Sequence, residues 1–287
     1  MCALRFLARM ALAASLLALA GCSLALQTDD AQCSVDADCE ARGGEFAGTV
    51  CVEKVCQPKP EPVDPKWGCV GKVEPLPSGK QDTLKVQLLD LLSQMPAKGV
   101  SVKLCNKYDP TCGSPLGTPT PDAMGWVSAT VPSDAETYLE VTGSDYLPAL
   151  VFLDHVGAAQ NPDILLVPPS AAQGLAGTAG VTLDPSGGII LVRNIDCTGA
   201  RTAGASVTIF PSSKETRFYV LGSAVTASGT KTDSSGNAGF VNVSDMPTAN
   251  PEITGTVGPE GQTFGKVITL VRPGHVTFQI LRPSANL

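Results

Sequence analysis

The chain has 287 residues and a formal net charge of −7, with no run of basic residues anywhere along it. A negative chain without a basic stripe is a poor partner for nucleic acid, whose phosphates demand a positive footprint, and it gains nothing from anionic lipid surfaces. The 29 glycines and 23 prolines, against 5% aromatic residues, favour many turns and short strands over long helices, and the length suits about two domains.

In chain order, Arg5 and Arg9 form a short positive head, followed by a stretch of Ala, Leu and one Ser from Ala11 to Ala20. That run is shorter than the roughly 20 residues a membrane-spanning helix needs. Behind a positive head and before small residues it reads as an export signal over residues 1–21. Its last three residues with the one that follows, Leu19-Ala20-Gly21-Cys22, resemble the lipobox of bacterial lipoproteins. The resemblance implies that the Cys22 thiol receives a diacylglyceryl group and becomes the mature N-terminus. One acyl chain anchors only marginally, at about 0.8 kcal/mol per buried methylene; two or three chains, as in that family, hold durably. Ser23, where Asp would retain such proteins at the inner membrane, implies the outer membrane or the cell surface. Without Arg5 and Arg9 the mature chain is two charges more negative.

Residues 22–32 then read as a lipidated tether. Cys33, Cys39, Cys51 and Cys56 follow within 24 residues, a stretch too short to enclose an apolar core, so cross-links must hold it. The gaps do not match paired zinc ligands two residues apart, and an exported chain favours cystine over metal. Three pairings are open to four cysteines. The stretch resembles small Cys-rich modules of the EGF or Dickkopf kind, and that resemblance implies the interleaved pairs Cys33–Cys51 and Cys39–Cys56. Residues 57–66, with four prolines, form an extended linker of roughly 30 Å, a stand-off spacer.

The rest of the chain contains an internal repeat. Lys98-Gly99-Val100-Ser101-Val102 matches Ala203-Gly204-Ala205-Ser206-Val207; Pro121-Asp122-Ala123-Met124-Gly125 matches Thr232-Asp233-Ser234-Ser235-Gly236; Glu140-Val141-Thr142-Gly143 matches Glu252-Ile253-Thr254-Gly255. Each half alternates as strands do, with one buried and one wet face expected. Val100, Val102 and Leu104 point inward in the first half, as do Leu139 and Val141 against wet Tyr138, Glu140 and Thr142. Ala205, Val207 and Ile209 point inward in the second half, as do Val276, Phe278 and Ile280 against wet His275, Thr277 and Gln279. The Asp-x-x-Gly segments supply turns. The expected fold is all-β: two tandem β-sandwiches over 67–168 and 188–287, joined by a connector over 169–187 in which Ser170–Ala179 forms a short helix, and preceded by the disulfide-rich module at 33–56.

Gly-x-x-Val at a strand start, then Pro/Thr-Asp-x-x-Gly, then an alternating strand, resembles the carboxypeptidase regulatory-like domain. That family implies a transthyretin-like, Ig-like sandwich with an accessory role and no catalytic residues. Two cysteine pairs remain to be placed. Cys105 lies on the solvent-facing parity of its strand, close before Cys112, which suits a local staple; Cys69 and Cys197, near the starts of the two halves, would then tie the halves together.

No catalytic set emerges. Asp154-His155 lacks a Gly-x-Ser-x-Gly elbow, the glycines at 174–180 lack a phosphate-loop pattern, and Asp233–Gly239 lacks the acid spacing and closing Glu of a calcium loop. Asp36 and Asp38 read as solvated loop acids. Trp67, Trp126, Tyr108, Tyr138, Tyr146 and Tyr219 are too few and too strand-bound to make a strong sugar platform. The sequence therefore points to a non-enzymatic, lipid-anchored binding or structural lipoprotein of the bacterial envelope, without cofactor or metal. Its partners would be membrane lipid through Cys22 and a protein or glycan at the cell surface. The alternative is an accessory subunit of an extracellular peptidase or other hydrolase.

Overall fold

A computed structural model describes residues 31–59, 65–72, 80–132, 135–152, 162–212, 214–244, 250–258 and 261–284. The export signal, Cys22, most of the tether, the centre of the Pro-rich linker and Asp154-His155 lie outside the described residues. Two compact units divide at Val63/Asp64.

In the first unit, helix α1 (Asp36–Arg42) precedes a hairpin of β1 (Thr49–Val52) and β2 (Val55–Pro58). Both hairpin turn residues, Glu53 and Lys54, have positive φ, the twist-matched turn of a two-residue loop. Cys39 and Cys33 are the buried centre, so cystine replaces the apolar core that so short a segment cannot build.

The second unit is all-β with one helix. Its strands are β3 (Gln81–Asp90), β4 (Val100–Asn106), β5 (Trp126–Pro132), β6 (Thr137–Gly143), β7 (Ala149–Phe152) and β8 (Asp163–Leu166). After the helix come β9 (Gly187–Asn194), β10 (Ser206–Phe210), β11 (Thr216–Leu221), β12 (Ala224–Thr226), β13 (Asn237–Ser244), β14 (Glu252–Val257), β15 (Gln262–Ile268) and β16 (Val276–Leu281). Helix α2 (Pro169–Thr178) starts on a proline at its first position and ends at Gly180, whose positive φ lets Val181 N–H reach back to Ala176 O.

The repeat read from the sequence recurs as strand pairing. In the first half β3 pairs antiparallel with β5 and parallel with β8, and β4 and β7 flank β6. In the second half β9 pairs antiparallel with β13 and parallel with β16, and β10 and β15 flank β14. Each half is thus two layers around its own core. The first core is built on Val86, Leu88, Val127, Leu139, Val141 and Val151; the second on Val192, Val207, Tyr219, Phe240, Ile253 and Phe264.

The halves are fused through one sheet. β16 pairs parallel with β9 on one side and with β7 of the first half on the other, which makes an eight-stranded sheet in the order β12-β11-β13-β9-β16-β7-β6-β4. On β16, Ile280 enters the first core and Leu281 the second. Consecutive side chains of a strand point to opposite faces, so the two three-stranded sheets, β5-β3-β8 and β10-β14-β15, lie on opposite faces of the shared one. Helix α2 covers a further part of that sheet, with Ala172 packed among Ile189, Phe218, Val241 and Val276.

This sharing corrects several expected faces. Thr277 and Gln279, expected wet, are fully buried, while Phe278 is only partly buried. A parallel strand in the middle of a covered sheet has no wet face, so alternation there does not mark exposure. Thr277 offsets its burial by donating to Leu270 O. His275 is in the turn before β16, not on the strand. On β6, Tyr138 and Glu140 are buried too, under the loop that follows β4. Cys105, on the solvent-facing parity of β4, is fully buried beneath the same loop with Cys112, Leu150, Phe152 and Leu270.

Candidate functional site

The structure pairs all eight described cysteines: Cys33 with Cys51, Cys39 with Cys56, Cys69 with Cys197 and Cys105 with Cys112. In the first unit the two aspartates of the module are committed to its backbone. Asp38 accepts from Ser34 and Val35 N–H, and Asp36 from Cys51 N–H. The Ser34 amide is the main cause that holds the Asp38 carboxyl below its ordinary range. These acids shape a loop; they do not gather round an ion.

The Cys69–Cys197 bridge has a consequence that sequence position hides. The segment at 65–72 lies just ahead of the first half, yet it packs on the second. Trp67 sits 5.2 Å from the Phe264 ring, Val70 joins the same core, Cys197 N–H donates to Lys66 O, and Gly71 N–H donates to Ser284 O. The chain therefore fastens itself to the second half, leaves to build the first, and returns. The bridge closes a loop of sequence separation 128 around the whole first half.

A polar cluster pins the other bridge. Arg272, in the turn before β16, donates to Glu140 Oε1 at 2.6 Å, to Tyr138 Oη at 2.9 Å, and to Pro110 O through both Nε and Nη2. Tyr138 Oη in turn donates to Asp109 O at 2.8 Å. Lys103 Nζ stands 3.5 Å from the second Glu140 oxygen. Burial is the main cause that raises the Tyr138 hydroxyl above its ordinary value. One guanidinium from the second half thus holds the Cys105–Cys112 loop against β6 of the first. Cys105, Cys112 and Glu140 lie close enough together to ligate a metal, but the sulfurs are joined to each other and the carboxylate is taken by Arg272, so the donor set does not fit an ion.

A second inter-half contact is the Asp163 carboxylate, which accepts from Arg193 at 3.3 Å and Arg201 at 2.7 Å. Arg193 also donates to Asp163 O. Desolvation lowers the Arg193 guanidinium from its ordinary value.

The residues weighed for chemistry are scattered. His275 is half-buried, with Nδ1 2.8 Å from Pro273 O. Asp233 is a turn former: its carboxylate accepts from Ser235 and Gly222 N–H. Of the aromatic residues, Tyr138 and Tyr219 are buried, Trp67 is at the edge of the second core, Trp126 is half-buried with Lys85 Nζ 4.7 Å over its ring, and Tyr108 is 80% exposed. They form no shared platform among the described residues. One open groove of about 490 Å³ runs between α2 and the β11–β12 turn, lined by Leu91, Leu92, Ala171, Leu175, Ala224 and Val225. It holds no titratable group.

Sequence reasoning did not find Arg272, Asp163 or Arg201, because each acts on a partner brought close only by the shared sheet.

Neither a protein-family model nor a curated protein sequence matches the chain. Solved structures similar to part of it include the shaft pilin SpaA from Lactobacillus rhamnosus GG, at 13% identity over 72% of this chain and 100% of that chain, with a TM-score of 0.23. BcpA, the major pilin subunit of Bacillus cereus, matches at 8% identity over 71% of this chain and 100% of that chain, with a TM-score of 0.24. A streptococcal ancillary pilin matches at 14% identity over 71% of this chain and 69% of that chain, with a TM-score of 0.20. Likeness at this level carries no role over to this chain.

Proposed function

We propose that this chain is a lipid-anchored structural or binding protein of a bacterial cell surface, acylated at Cys22 and without enzymatic activity. The observation that carries the reading is the pairing of the cysteines. Once Cys2 leaves with the signal and Cys22 takes the lipid, every remaining cysteine is in a disulfide. Full pairing is the signature of an exported chain that folds in an oxidising compartment. The envelope side of the reading rests on Leu19-Ala20-Gly21-Cys22 and the Pro-rich spacer. The non-enzymatic side rests on the commitment of the conspicuous polar groups to structure: Arg272, Glu140, Tyr138, Asp163 and Asp233 all bond to one another, to neighbouring side chains or to the backbone.

The domain plan belongs to the same proposal: tether 22–32, module 33–56, spacer 57–66, and fused sandwich halves of the carboxypeptidase regulatory-like kind. A role as accessory subunit of an extracellular hydrolase would use the same anchor and plan.

The test is protease treatment of intact and of broken cells that express the full chain. Loss of the chain from intact cells, with release of Cys22→Ser chain into the soluble fraction, is the expected outcome. Protection in intact cells places it inside the envelope and contradicts surface display. Recovery of a peptidase with the cross-linked chain would favour the accessory role.

A further inference from the structure

In a sheet, an edge strand offers unpaired amides and carbonyls to any strand that approaches, and natural proteins blunt such edges. Most edges of the sandwich sheets show this blunting at one position or more. Leu104 of β4 is bonded on its outer side by Leu116 and Gly117. On β8, Asp163 O accepts from Arg193, and just beyond the strand Val167 O accepts from Leu147 N–H. On β10, Val207 gives its N–H to Tyr219 Oη and its carbonyl to Arg217. On β15, Phe264 O accepts from Ser284 N–H. Strand β12 is three residues long.

Strand β5 differs. It pairs with β3 in unbroken register from Trp126↔Gln87 to Pro132↔Gln81. The bond from Leu88 N–H to Gly125 O fixes its parity: Val127, Ala129 and Val131 bond toward β3, while Ser128 and Thr130 turn N–H and C=O outward. Those outward groups have no partner among the described residues. Trp126 is closed off by Asp122, with its N–H on the carboxylate and its carbonyl on Asp122 N–H, and Pro132 has no N–H. The strand itself carries no charged side chain.

In the second half the matching edge carries a strand. Ser128 and Thr130 match Gly239 and Val241 of β13 in the repeat, and those pair antiparallel with Phe218 and Thr216 of β11. The first half has no such hairpin among the described residues.

We infer that β5 is a homodimer interface, pairing antiparallel with β5 of a second copy about a two-fold axis at Ala129. The sequence of the strand selects this occupant. Val127-Ser128-Ala129-Thr130-Val131 reads nearly the same in both directions. A two-fold therefore sets valine on valine, Ser128 on Thr130 of the second copy, and alanine on alanine. The outward amides and carbonyls of Ser128 and Thr130 in both copies form four hydrogen bonds and leave none over. The isologous contact closes on itself and joins two three-stranded sheets into one of six. This inference does not depend on the lipid anchor.

The test uses the full chain, purified from membranes in mild detergent. Across the two-fold, Ala129 faces its counterpart in a non-hydrogen-bonded pair, with Cα atoms about 4.5 Å apart, inside disulfide range. Ala129→Cys should give a covalent dimer on a non-reducing gel, whereas Ser128→Cys, whose counterpart lies diagonally away, should give far less. Adding Thr130→Pro, which removes an outward amide and leaves the β3 ladder intact, should abolish the Ala129→Cys dimer. The same Thr130→Pro change in the otherwise native chain should turn a dimer into a monomer in sedimentation, with an unchanged far-UV circular dichroism spectrum showing that the fold survives. Equal cross-linking at 128 and 129, or a native chain that sediments as a monomer at micromolar concentration, overturns the inference.

Discussion

Gly125 and Gly236 occupy the same place in the two halves. Each has positive φ, each gives its carbonyl to the end of its half's first strand, at Leu88 and Asn194, and each would bring a Cβ within 2.5 Å of that residue's carbonyl oxygen. A side chain there meets both backbone strain and rigid backbone. Gly125→Ala and Gly236→Ala should each cost roughly 1–3 kcal/mol in urea unfolding. Gly174→Ala, in helix α2 with nothing within 4 Å of the added carbon, should instead stabilise by about 0.5–1 kcal/mol.

The repeat, its turns and its inward faces were legible because they are local: Val102, Leu104, Val207 and Ile209 are buried as their alternation implies. What lay beyond reach is what the fusion creates. Nothing in the sequence of β16 says that it will lie between β7 and β9, so Thr277 and Gln279 read as wet. The ion pair of Arg272 with Glu140, 132 positions apart, has no sequence signature either. Trp67 and Cys69 read as the opening of the first half because they precede it, whereas the Cys69–Cys197 bridge holds them on the second. The approximate repeat also hid a difference that matters: β13 pairs with β11, whereas β5 has no such outer partner among the described residues.

The two bridges of the second unit should differ in worth. In the chain-entropy picture a loop of separation 128 stabilises by about 5 kcal/mol and one of separation 7 by about 2.5 kcal/mol. Replacing Cys69 and Cys197 together by Ser should therefore lower the unfolding free energy clearly more than replacing Cys105 and Cys112. Denaturant midpoints of the two double variants, at equal slope, measure the difference.

Arg272→Ala leaves Glu140 buried without its main partner. The expected cost is roughly 3–5 kcal/mol. Faster amide exchange should follow in the loop at 107–117, which loses its clamp on Pro110 O. Arg272→Lys keeps the charge but not the forked donors and should recover only part of the stability. Hydrogen exchange on the three proteins distinguishes loss of charge from loss of the clamp.

Acid should weaken the second unit through its turns. The carboxyls of Asp109, Asp233 and Asp184 are held below their ordinary value of 3.8 mainly by the Ser114 amide, the Gly222 amide and the Ser186 hydroxyl respectively. A carboxyl depressed in the folded state adds stability that is complete above its unfolded value and is lost as the pH falls through the folded one. Melting temperature should hold down to about pH 4 and drop below it. The drop should be shallower in Asp233→Ala, whose starting stability is lower.

The most direct measurement is metabolic labelling with a clickable fatty acid, combined with the intact mass of the purified chain. The expected result is a chain that begins at Cys22, carries the mass of at least two acyl groups and takes up the label, with no label in Cys22→Ser. A wild-type chain that takes up no more label than Cys22→Ser, or one whose mature N-terminus lies elsewhere, contradicts the lipid-anchored assignment.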